Sequence, residues 1–323
     1  MSFEKDSDVW GATLRDFTYG LSQGALELFP QDLSSVMNNP EKLEEVVSWL
    51  GHLDSRGQKA VFMLSHDTSD PVSHHLGSNA IVFRTSMNRS LDYTNEYLIP
   101  VFLGESDFKS WEPLPYVPIP SVGFVGHSSP ELHHGVLTLR SPQEVGEYGY
   151  VESDGSQLLR TPVNIGLILR ARAVRAIEST KGLKSAIIQR NSHHFLSQAS
   201  RSQERSEFLD NLGSNPYSLC IRGSGNYSIR LFETLAAGRI PVMLDTDQVM
   251  PMESAIDWSG LGLEVKISEL DSLGEEILNF HESLESASFL RLQIRARETW
   301  ERFLRKDPCL ETMLREIARG SQE

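Results

Sequence analysis

Apolar residues recur along this chain with two different periods, and the places where the period changes mark out its elements. Leu14, Phe17, Leu21, Ala25 and Leu28 fall at helical spacing, and Val46, Val47 and Leu50 do so again within residues 43–53. The first fifty residues therefore read as helices with packing faces. The period then changes. Residues 59–65 form a short, almost unbroken apolar run that ends in the polar stretch HDTSDP at 66–71, the pattern of a buried strand entering a loop. Residues 79–84 and 96–102 read as two further strands, so strands and helices interleave into a small α/β sheet. Ligands of such sheets lie beyond the carboxyl ends of the strands, where His66 and Asp67 sit.

The stretch WEPLPYVPIP at 111–120 carries four prolines in ten residues and predicts an extended, semi-rigid connection. It divides the chain into an N-terminal domain, residues 1–117, and a C-terminal domain, residues 118–323. In the latter, strands are predicted at 121–126, 184–190, 217–221 and 241–244. Helices are predicted around Ile165, Leu169, Ala173 and Ile177, over 202–212 and over 228–237. That alternation implies a parallel sheet with right-handed crossovers. SELD at 268–271 resembles a capping box, and helical periodicity through Ile277, Leu284, Leu292 and Trp300 predicts a long C-terminal helix that Pro308 should end or kink. No fixed short repeat is found, which excludes solenoids and propellers.

Composition narrows the class. The 323 residues are 39% hydrophobic and 23% charged, ordinary for a globular protein with one large or two smaller domains. The net charge of −14 argues against a nucleic-acid partner, and any anionic ligand must meet a local group of arginines. Cys220 and Cys309 lie far apart and outside any CxxC spacing, so neither a disulfide framework nor a structural zinc site is expected. The first residues show no basic-then-apolar leader, and no run approaches the roughly 20 apolar residues of a membrane helix. A cytoplasmic setting without a transmembrane segment is the expectation.

The chemistry concentrates in residues 217–245: a strand, a glycine-containing loop, a helix, a stop and another strand. Gly223 and Gly225, with Ser224 between them, let backbone turn sharply and approach a ligand, and Asn226 or Ser228 can cap the helix that begins near Ile229. The start of that helix offers free N–H groups and the positive end of its dipole, a ready site for a phosphate. Arg222 and Arg230 flank it. Arg230 and Glu233, three residues apart, share a helix side, which also fits a plain surface ion pair. Gly238 suits a left-handed cap at the helix end, and Pro241 opens the next strand.

The run RGSGNYSIRLFETLAAGRIPVMLDTDQVMPMESAIDW at 222–258 resembles the signature region of the exostosin-like glycosyltransferases. The similarity extends more weakly through PSVGFVG at 120–126 and residues 170–175 and 201–217, covering roughly the C-terminal two thirds. The resemblance implies a GT-B arrangement, two Rossmann-like domains facing across a cleft, here with a reduced N-terminal domain. It also implies that a nucleoside-diphosphate sugar, UDP- or GDP-linked, is bound mainly by the C-terminal domain and transferred with inversion to a saccharide or other hydroxyl acceptor. On matching positions, Arg222 and Arg230 would neutralise the donor diphosphate, the loop of Gly223, Ser224, Gly225, Asn226 and Ser228 would donate backbone hydrogen bonds, and Glu233 would accept from the ribose hydroxyls. Arg190, at the end of a predicted strand, is either a further donor contact or a structural arginine. A permanently charged guanidinium suits a leaving diphosphate, whose charge grows as the glycosidic bond breaks.

Inverting transfer needs a general base, and His66 and Asp67 are the candidates, with Glu96 a weaker rival; a loop that merely caps its strand is the alternative for the pair. No redox cofactor is needed and a metal is not expected. Asp245-Thr-Asp247 has the form of a DxD metal motif but ends a Rossmann-type strand and reads as a turn or a helix cap. The pairs His74-His75, His133-His134 and His193-His194 lack HExxH spacing, and Ser224 lacks the GxSxG elbow, which argues against a metal hydrolase and an α/β-hydrolase. Asp257 and Trp258 read as packing or as a face near the donor. The alternative function is a non-catalytic nucleotide- or glycan-binding partner in polysaccharide assembly.

Overall fold

A computed structural model of the chain describes residues 26–37, 39–128, 148–151, 161–190 and 198–320. The expected helix through Leu14, Phe17, Leu21 and Ala25 and the pairs His133-His134 and His193-His194 lie outside the described residues. The fold is α/β with two parallel sheets, and the chain divides into two compact units. One comprises residues 1–102, 249–252 and 302–323, the other residues 103–248 and 253–301.

In the first unit, β1 (Leu26–Asp32), α1 (Pro40–Asp54), β2 (Lys59–Leu64), β3 (Ala80–Arg84) and β4 (Glu96–Leu98) build a parallel sheet in the order β1-β2-β3-β4. Leu28 thus belongs to a strand, not to the helix its spacing predicted: a seven-residue segment with Leu26, Leu28 and Phe29 buried satisfies the sheet edge better than an isolated helical turn. Asn39 caps α1 by accepting from the N–H groups of Glu41 and Lys42, and Pro40 occupies the first turn. β2 is buried on both faces. Phe62 and Leu64 pack with Val46, Leu50 and Leu53 of α1, whereas Val61 and Met63 pack with Cys309, Leu310 and Leu314 of the C-terminal helix, Lys306–Gly320. The end of the chain therefore completes the core of the N-terminal unit, although the sequence reading placed all of residues 118–323 in one domain.

The second unit contains β5 (Ser121–His127), the antiparallel hairpin β6 (Tyr148–Val151) and β7 (Thr161–Asn164), α2 (Ile165–Ser179), β8 (Lys184–Arg190), α3 (Gln198–Ser214), β9 (Tyr217–Cys220), α4 (Ile229–Ala236), β10 (Ile240–Asp245), β11 (Leu263–Lys266), α5 (Leu273–Glu282) and α6 (Ser286–Thr299). Its five-stranded sheet has the order β11-β10-β9-β5-β8 and is parallel throughout. Counted from β5, this is the doubly wound order 2-1-3-4-5 read from the other side, with its switch point between β5 and β9. The single long C-terminal helix is corrected to three: the chain leaves the helical path after Glu282, restarts at Ser286 and passes through a π-helical turn at Trp300–Leu304. Pro308 does not end a helix. It sits in the first turn of the last one, where its missing N–H costs nothing.

The Pro-rich stretch is tied along the second unit. Gln293 brackets Leu114, accepting from its N–H at 2.8 Å and donating to its carbonyl at 2.9 Å, while the buried Arg239 donates to the carbonyl of Glu112. His281 bonds the carbonyl of Val117 at 2.8 Å and the hydroxyl of Tyr217 at 2.9 Å, and Tyr116 stacks on its ring. Gly238 ends α4 with φ +60°, as expected, and a Cβ there would lie 2.5 Å from the ring of Trp111. Only glycine satisfies both the left-handed backbone and the indole.

Candidate functional site

The switch point is where the second unit gathers its charge. β5 pairs with β8 along its whole length, but with β9 only through Val122–Tyr217 and Gly123–Ser218. Beyond those pairs the two strands part, and their carbonyls need other donors. Arginines supply them. Arg170, from α2, bridges the gap by donating to the carbonyls of His127 and Ile221, each at 3.2 Å. Arg230, from α4, donates to the carbonyl of Val125 and lies between the rings of Phe124 and Phe208, 4.6 and 5.4 Å from their centroids. Gly126 leaves room for it, since a Cβ would stand 3.1 Å from the guanidinium. Arg222, buried just after β9, donates to the carbonyl of Ser224 at 2.9 Å.

This group is electrostatically strained. Burial, with Arg230 and Arg222 nearby, pushes the Arg170 guanidinium down to about 9. Arg230 is lowered as well, by burial first, with Glu233 pulling the other way and Arg190 adding to the effect. Neither Arg170 nor Arg230 has a carboxylate in ion-pair contact among the described residues, and the Nε atoms of both are buried without a hydrogen-bond acceptor. An anion with several oxygens would relieve both deficits at once.

The loop beside the cluster is held from within. The N–H of Gly223 donates to the carbonyl of Tyr227 at 3.2 Å. Asn226 is buried, donates to the carbonyl of Thr246 and accepts from its hydroxyl at 2.8 Å, so its side chain is spent on pinning the loop to the end of β10. Ser228 is the residue preceding α4 but its side chain makes no capping bond; its carbonyl accepts from the N–H of Leu231 at 3.1 Å, which leaves the N–H groups of Ile229 and Arg230 to other acceptors. Gly223 and Gly225 do not adopt left-handed φ values, and a Cβ on Gly223 would make only an ordinary contact, 3.6 Å, with the Arg170 guanidinium. Ser224 is exposed.

Two expected ligand contacts are already engaged. Arg190 is ion-paired with Glu204 and Glu207 of α3, the latter at 2.9 Å, although its charge still reaches Arg230. Glu233 does not pair with Arg230, its neighbour on α4. Its Oε1 accepts from Arg205 of α3 at 2.6 Å. Cys220 is buried under the site, and burial pushes its thiol up to about 11, which excludes a nucleophilic role near neutral pH.

His66 and Asp67 belong to the other unit, on the loop after β2, with His66 exposed and Asp67 half-buried. The N–H of Thr68 donates to His66 Nδ1 at 3.0 Å, so the neutral ring carries its proton on Nε2 and that nitrogen donates instead of accepting. Glu96, the weaker rival, is no base. It is buried, ion-paired with the fully buried Arg84, and accepts from the N–H groups of Val72 and Ser73 at 2.7 and 2.8 Å. Asp245 accepts from the N–H of Asp247 at 3.1 Å, the turn that the sequence suggested, and Asp257 pairs with Arg295 and accepts from Ser259.

Arg170 and Arg205 were missed by the sequence reading. Arg170 had a signal, an arginine between the buried Leu169 and Ala171 and one turn from the buried Val174. Arg205 had none, because its partners are 28 and 98 residues away.

Neither a protein-family model nor a curated protein sequence matches the chain. Among solved structures, TarM aligns over 87% of this chain and 58% of its own, at 13% identity and a TM-score of 0.40. Sucrose-phosphate synthase from Thermosynechococcus elongatus aligns over 84% and 70%, at 11% identity and a TM-score of 0.41. A variant of S. aureus TarM in complex with fondaparinux, α-GlcNAc-glycerol and UDP aligns over 87% and 59%, at 13% identity and a TM-score of 0.38. This chain thus spans less than two thirds of the TarM chain. No described helix is long and apolar enough to cross a membrane.

Proposed function

We propose that this chain is an inverting glycosyltransferase of the exostosin-like type, moving a sugar from a UDP- or GDP-linked donor to a saccharide or other hydroxyl acceptor. One observation carries the reading: Arg170, Arg222 and Arg230, from three different segments, converge where β5 and β9 part, the place at which a doubly wound sheet binds its ligand. A diphosphate is the group that fits them. Its oxygens would meet the guanidinium groups and the N–H groups of Ile229 and Arg230 at the start of α4, and Glu233 would accept from the ribose.

In the transfer, the acceptor hydroxyl oxygen attacks the anomeric carbon while the bond to the diphosphate oxygen breaks. The electron pair leaves with the diphosphate, where the arginines stabilise it without a metal, and the hydroxyl proton passes to a base. Because Nδ1 of His66 is engaged, Asp67 is assigned the proton and His66 a neighbouring role. Asp67→Asn is expected to lower kcat by roughly 100- to 10,000-fold with donor affinity retained, and His66→Ala by less. Steady-state release of nucleoside diphosphate from the donor, measured with an acceptor panel, checks this; full turnover in both variants removes the assignment.

A further inference from the structure

The carboxylate expected to read the ribose is not left to find its own orientation. Arg205 reaches Glu233 Oε1 through one terminal nitrogen at 2.6 Å and Asp107 Oδ2 through Nε and its other terminal nitrogen at 2.9 and 2.8 Å. Its guanidinium also lies against the rings of Phe208 and Phe108, 4.9 and 5.8 Å from their centroids. Phe208 faces Arg230 as well, so one ring adjoins both the cluster arginine and the arginine that holds Glu233. Three separate elements meet in this clamp: Arg205 from α3, Glu233 from α4 and Asp107 from the 3-10 turn Glu105–Phe108.

As a purely structural device the clamp is extravagant. Arg205 and Asp107 are each about a third exposed, and ion pairs at that exposure add little to stability. Glu233 is different. Its side chain is nearly buried, it sits one turn into the helix whose first turn faces the arginine cluster, and a glutamate left alone there would sample several rotamers.

Resting on the reading of this site as a nucleoside-diphosphate site, we propose that Arg205 is a positioning residue that occupies Oε1 of Glu233, directs Oε2 to the ribose hydroxyls, and thereby sets the preference for a ribonucleotide. Arg205 itself does not contact the ligand. Inorganic pyrophosphate, which uses only the arginine cluster, is indifferent to it.

The test is calorimetric titration of the full chain, wild type, Arg205→Ala and Asp107→Asn, with UDP and GDP, with the 2′-deoxy form of whichever binds, and with pyrophosphate. Arg205→Ala is expected to weaken the ribonucleotide about tenfold, to bring it within about twofold of the deoxy form, and to leave pyrophosphate within about twofold of wild type. Asp107→Asn, which keeps the Arg205–Glu233 contact but loosens its anchor, should fall between, and it serves if Arg205→Ala does not fold. An unchanged preference for ribose over deoxyribose in the folded variants, or an equal loss of pyrophosphate binding, overturns the proposal and leaves the nucleotide site standing. Failure of the wild type to bind either ribonucleotide overturns the site reading and this proposal with it.

Discussion

Arg230→Ala should weaken nucleoside-diphosphate binding by roughly 10- to 100-fold, the worth of one charge-assisted hydrogen bond in a buried setting. Arg230 is held between Phe124 and Phe208 and bonded to the carbonyl of Val125, which fixes the plane of its guanidinium before any ligand arrives. No ion pair competes for its charge among the described residues, so the gain on meeting an anion is not offset by a partner lost. Arg230→Lys should recover only part of the affinity, because an ammonium has neither the planar face nor the forked donors. Calorimetric titration reads the effect, with circular dichroism confirming that each variant is folded. Wild-type affinity in folded Arg230→Ala would remove Arg230 from the site.

In the N-terminal unit the large effect is on stability. Glu96→Ala should cost about 3–5 kcal/mol, the usual penalty for stranding one partner of a buried ion pair. Arg84 is fully buried, and besides Glu96 it donates to the carbonyls of Asp70 and Thr68, at 2.9 and 2.6 Å. Glu96 in turn accepts from the N–H groups of Val72 and Ser73. Together the two side chains fasten residues 68–73 to the ends of β3 and β4, directly after His66 and Asp67. Replacing both by apolar residues, Arg84→Met with Glu96→Leu, should not rescue the loss, since four backbone groups would still lack partners. Urea unfolding of the intact chain measures it. A change below about 1 kcal/mol for Glu96→Ala would show that water replaces these bonds and that the loop is not held in this way.

Much of the second unit was legible because its signals are local. The strands at 121–127, 184–190, 217–220 and 240–245, and the helix between the last two, follow from apolar runs, a glycine loop and a glycine stop within short windows. Gly238 announced its left-handed cap. The errors have a common cause, which is that decisive contacts lie far away in sequence. Leu28 matched a helical spacing, yet pairing with Val61 made its segment a strand. The last helix looked continuous with its predecessors, but Leu310 and Leu314 find their core on the N-terminal sheet. Glu96 looked like a free carboxylate until Arg84 stood beside it, and Glu233 looked paired with Arg230 until Arg205 reached it from another helix. Arg222 and Arg230 could be singled out because the loop and helix start lie between them. Arg170 joins them only once the sheet is wound.

The proposed role of Arg170, Arg222 and Arg230, where β5 and β9 part, is to bind a nucleoside diphosphate. It is tested most directly by titrating the wild-type chain with UDP and with GDP, in the presence and absence of magnesium. Saturable binding of one of them is expected, with an affinity that magnesium does not raise and that falls as salt screens the guanidinium groups. No binding of either nucleotide, or binding that appears only with magnesium, would contradict it.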